Sequence, residues 1–79
     1  MTIDSYLKAL SDEEFDDKFL ELARSDSFSA IASGVGTQDD RLKVRDALIA
    51  LELPVVLYKD EVTVCVAVSM IADRIMKKK

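Results

Sequence analysis

From Glu61 to Lys78 the sequence EVTVCVAVSMIADRIMKK carries two incompatible periods, and the one that wins decides what the rest of the chain can build. Val62, Val64, Val66 and Val68 alternate with Thr63, Cys65, Ala67 and Ser69, which is the period of a strand. At 100° per residue, however, Val64, Cys65, Val68, Ile71, Ala72, Ile75 and Met76 fall within an arc of about 140°, with Thr63, Asp73, Arg74, Lys77 and Lys78 outside it. The helical pattern covers the whole stretch, whereas the alternation covers only its first part. Asp60 is placed to cap such a helix, Glu61 sits in its first turn, and Lys77, Lys78 and Lys79 lie at the negative end of its dipole. A strand here would need a partner, and the only candidate, residues 55–58, would give a two-stranded ribbon of marginal stability. Valine is a mediocre helix former, which keeps one alternative in view: an α+β fold with a β-hairpin over residues 55–68. The expectation is therefore an all-α fold, a small bundle of about four helices, with residues 1–79 as a single domain.

The remaining segments fit that reading. Thr2 can cap a short first helix with Ile3, Tyr6, Leu7 and Leu10 on one stripe. Ser11 followed by Glu14 is a capping box, and the helix it opens, about 12–24, places Phe15, Phe19, Leu22 and Ala23 on one face. The serine-rich SDSFSAIASGVG reads as a connector whose Phe28, Ile31 and Ala32 cover one or two helical turns before Gly34 closes them in a left-handed cap. Thr37 with Asp40 opens another helix, expected to run to about residue 53, just before Pro54. Its run Ala47–Leu51 is apolar on all sides, which marks it as the central helix. PVVLY is too short to assign by period.

Several classes of chemistry are excluded by what the chain lacks. It has one cysteine and no histidine, so neither an internal disulfide nor a zinc cluster is available. Cys65 has valines around it and no base to make it a nucleophile, so it reads as a buried structural thiol. SGVGTQDD lacks the lysine and spacing of a phosphate loop, and its aspartates would repel an anion. No catalytic, cofactor or metal residue is expected. The start has no secretory pattern and no stretch approaches a membrane span, which makes the cytoplasm, of a cell or of an infected host cell, the expected compartment. A net charge of −4 argues against a dedicated nucleic-acid binder. The charge is polarised: residues 1–30 hold eight acids and three bases, and the last six residues hold four bases.

Two features are left without a role in the core. Val62, Val66 and Met70 recur at i, i+4 and i+8 outside the main apolar arc, which fits either a helix packed on two sides or a seam for a partner. Asp12, Glu13, Asp16 and Asp17 crowd the start of the second helix and form an acidic face. Together they point to a non-enzymatic binding or regulatory protein, for example a small phage-type accessory inhibitor, whose partner is another protein or a second copy of itself. A core of this size is often completed by self-association, so a homo-oligomer is expected. Two other classes remain: an oligomeric small-molecule or nucleotide binder with an inter-subunit pocket lined by Tyr6, Tyr58, Arg41, Arg45 or Lys59, and a structural subunit of a larger assembly.

Overall fold

Every helix begins where a short polar side chain can close the first turn. The computed structural model describes residues 2–77 and contains α1 (Ile3–Lys8), α2 (Asp12–Ala23), α3 (Asp26–Ala32), α4 (Gln38–Ala50), a 3-10 turn (Val55–Leu57) and α5 (Glu61–Lys77). Thr2, Ser11 and Thr37 each accept from the backbone three residues on, while Ser5, Glu14 and Asp40 reach back to the cap backbone, giving three reciprocal boxes. Ser25 caps α3 by accepting from the Phe28 N–H at 3.1 Å. At α5, Asp60 Oδ1 accepts from the Thr63 N–H at 2.8 Å and Thr63 Oγ1 accepts from the Asp60 N–H at 3.0 Å. These bonds favour the ionised carboxylates. Glu14, Asp40 and Asp60 are held below the usual carboxylate range, chiefly by backbone N–H bonds at Ser11, Thr37 and Thr63 respectively.

The C-terminal ends of α3 and α4 close alike. Gly34, at φ +83°, lets its own N–H reach the Ile31 carbonyl and that of Val35 reach the Ala30 carbonyl, both at 3.0 Å. At the end of α4 the same left-handed position is held by Glu52, at φ 62°, with Glu52 N–H on Ile49 O (2.9 Å) and Leu53 N–H on Leu48 O (3.3 Å). Leu53 and Leu48 are both buried, the apolar contact that accompanies this motif. Gly36 serves a different need, because a Cβ there would stand 2.6 Å from Ile31 Cγ1.

The core is one cluster with α5 at its centre. α5 packs against α1, α3, α4 and the 3-10 turn, and its Val64, Ala67, Val68 and Ile71 are almost wholly removed from water. Phe15 and Phe19 of α2 enter the same cluster with ring centroids 5.1 Å apart and tilted by 49°, a favourable aromatic arrangement.

The all-α bundle is the observed fold, and the hairpin alternative falls: among the described residues there is no strand, residues 55–57 form the 3-10 turn, and 61–77 are one helix. The reason is burial, since the helical period places Val64, Val68 and Ile71 together against the other helices. Three details depart from expectation. α4 ends at Ala50 rather than near 53, because Glu52 accepts the left-handed conformation without a glycine. It is not the central helix either, as its Ile49 and Ala50 are exposed. Met76 lies in the apolar arc of α5 yet is exposed. Lys77 is in the last turn of α5 as expected, while Lys78 and Lys79 lie outside the described residues.

Candidate interaction surface

α1 settles the fate of the second apolar strip on α5. It crosses the C-terminal half of the strip, where Met70 and Leu7 line one hollow, and Met70 is half-buried against the core. The N-terminal half stays open: Val62 is 71% and Val66 45% exposed, beside Val55 at 67% and Val56 at 45% on the 3-10 turn and the residue chain leading into α5. Val56 and Val66 share a shallow depression of about 260 Å³ whose other walls include Ile3, Leu57 and Lys59. Of the three residues expected on a seam, two therefore form an open surface, and Met70 is largely withdrawn from it. What the sequence did not reveal is that Val56, in a segment without readable period, meets Val66 there.

Arg74 explains how α1 is held. Its guanidinium donates to the carbonyls of Leu7, which also accepts from the Leu10 N–H at 3.1 Å, and, at 2.9 Å, of Leu10 just beyond the end of α1. It also lies over the Phe15 ring, 4.5 Å from the centroid, and pairs with Asp12 at 3.3 Å. One side chain thus ties α5 to α1 and to the start of α2. By helical period it belongs to the polar side of α5, so only its register one turn beyond Met70 hinted at this contact.

The acidic face is divided by that arrangement. Asp12 pairs with Arg74 while staying exposed, and Glu13, Asp16 and Asp17 are exposed along the rest of the first half of α2. Asp17 also lines a groove between α2 and α4, away from the valines. The expected surface is therefore two surfaces: an apolar end at the start of α5 and an acidic flank on α2.

The residues considered for a ligand pocket do not converge. Tyr58 is buried in the core, and Arg41 donates to the Gly36 carbonyl at 3.3 Å and faces Glu61 at 3.8 Å. Lys59 borders the valine depression, Arg45 is exposed and Tyr6 half-buried. Cys65 is half-buried against the core rather than sealed within it. Among the described residues no group of three or more His, Cys, Asp or Glu could hold a metal ion, and no helix is long and apolar enough to cross a membrane. Comparison with family models, with curated proteins and with solved structures finds no match to this chain.

Proposed function

We propose that this is a non-enzymatic binding protein that acts through the valine surface at the start of α5, with the acidic flank of α2 as a secondary contact. The observation that carries this reading is the meeting of exposed Val56 and Val66 in one depression, with exposed Val55 next to Val56 in the chain and exposed Val62 one turn before Val66 on α5. Scattered single apolar residues on a surface need no explanation, but a contiguous group next to a closed core does. These valines are not needed to fill the core, which Val64, Val68 and Ile71 complete from the opposite face of α5. The occupant is a protein surface with a complementary apolar face, either a different protein or a second copy.

The test is a variant that carries Val62→Asp and Val66→Asp. Light scattering behind a sizing column, at two concentrations about tenfold apart, reads self-association. Affinity capture from a host lysate, with the parent and variant compared band by band, reads other partners. The proposal expects unchanged circular dichroism together with loss of dimer mass or of a captured band. A variant that unfolds would make the valines core residues, and one that retains every association would remove them from the interface.

A further inference from the structure

We infer that α1 is a detachable strap: it melts and leaves α5 as a unit while the other helices stay packed, and its departure adds Met70 to the apolar strip that begins at Val62 and Val66. α1 lies along α5, with Ile3 in one hollow beside Thr63 and Val66 and Leu7 in another beside Met70 and Asp73. Ile3 and Leu7 are its buried side chains, and α5 is its principal partner. Its other bonds are internal: the capping box between Thr2 and Ser5, and the pair of Asp4 with Lys8 at 3.1 Å. Among the described residues, Arg74 alone joins it to another element by a hydrogen bond, at the Leu7 carbonyl.

Isolated helices need about 12–15 residues to hold in water, and α1 has six, so it forms only while docked and melts when it leaves. The packing of α3 on α4 and α5, and of α4 on α5, does not involve it. Among the described residues the most deeply buried large side chains all lie on α2, α4 and α5. Two apolar anchors and one arginine therefore stand against the backbone freedom that residues 2–10 regain, which makes this opening cheaper than global unfolding. With α1 away, the strip runs from Val62 to Met70, about 12 Å at 1.5 Å per residue, instead of ending at Val66. The surface then has two lengths, a short one in the closed chain and a long one in the open chain. This deepens the function proposed above and rests on it for the use made of the strip.

Amide exchange followed by NMR on the full chain, at rising urea concentrations, reads the opening directly. The Tyr6 N–H, which donates to the Thr2 carbonyl at 3.0 Å, should exchange through an opening with a smaller urea slope than that of Val68 and Ile71, and with protection at least tenfold lower. Ile3→Asp removes the anchor at the end of α1 away from Met70. Dilute hydrogen peroxide should then oxidise Met70 at least threefold faster than in the parent, with Met76, already 72% exposed, unchanged and Val68 and Ile71 still protected. The inference is overturned if Tyr6 loses protection only together with Val68 and Ile71, or if Ile3→Asp unfolds the whole bundle. It is equally overturned if Met70 keeps the parent's rate, which would confine the change to fraying at Ile3. No partner enters these readouts, so their failure is distinct from failure of the valine surface.

Discussion

Replacing Arg74 should do more damage than any other substitution of a charged residue in this chain. Its side chain is 22% exposed, so its contacts are partly shielded from water. Hydrogen bonds from a charged donor contribute about 1.5–3 kcal/mol each, and the two to Leu7 and Leu10 fall toward the lower end because both carbonyls can be rehydrated when the donor is lost. The position over Phe15 adds about 1 kcal/mol. The pair with Asp12 adds little, since the Asp12 side chain is 77% exposed. Arg74→Ala should therefore cost about 4 kcal/mol, and Arg74→Lys about half as much, because an ammonium cannot serve both carbonyls and stack on the ring. Asp12→Asn should cost less than about 0.5 kcal/mol. Urea unfolding followed by far-ultraviolet dichroism, with the slope compared between variants, measures all three. If Arg74→Ala cost no more than Asp12→Asn, Arg74 would be only a member of a surface ion pair, and the account of how α1 is held would be wrong.

The two left-handed helix ends give opposite predictions for one type of change. Glu52→Gly should raise stability by about 1 kcal/mol, and Gly34→Ala, where an added Cβ meets nothing within 4 Å, should lower it by a similar amount through backbone conformation alone; thermal unfolding reads both. The capping acids Glu14, Asp40 and Asp60 have depressed pKa values when folded, so each contributes stability that is fully present above its unfolded value near 4 and is lost as pH falls through the folded value. Acid titration should thus show stability falling below about pH 4, and the triple variant Glu14→Gln, Asp40→Asn, Asp60→Asn should show a shallower fall. An unchanged slope in that variant would mean that other carboxylates control the acid limit.

The helix starts were legible because capping is local: Ser11 with Glu14, Thr37 with Asp40, and Asp60 before Glu61 each act within four residues of sequence, and each is found in its expected role. Gly34 was legible for the same reason. α3 was only half read, as a connector with a packed middle, because seven residues that bury Phe28 and Ile31 are too few to display a period. The end of α4 was displaced by three residues because the expected stop, Pro54, was weaker than a glutamate in a left-handed turn. The candidate surface was legible where it depended on one helix, at Val62 and Val66, and illegible where it depended on packing. Nothing in the sequence says that α1 lies across Met70, that Arg74 turns inward, or that Asp17 faces α4.

The central position of α5 has a consequence for the order of events during synthesis. α1 and the 3-10 turn pack on a helix that follows them in the chain, and α3 and α4, which pack on each other, still lack the partner they share until residues 61–77 have been made. At roughly 5–20 residues per second, those residues take about one to three seconds to add. Throughout that interval Phe15, Phe19 and Phe28 have no completed core to enter. Until α5 is made, the incomplete core leaves these apolar side chains open to chaperones, to proteases and to other nascent chains.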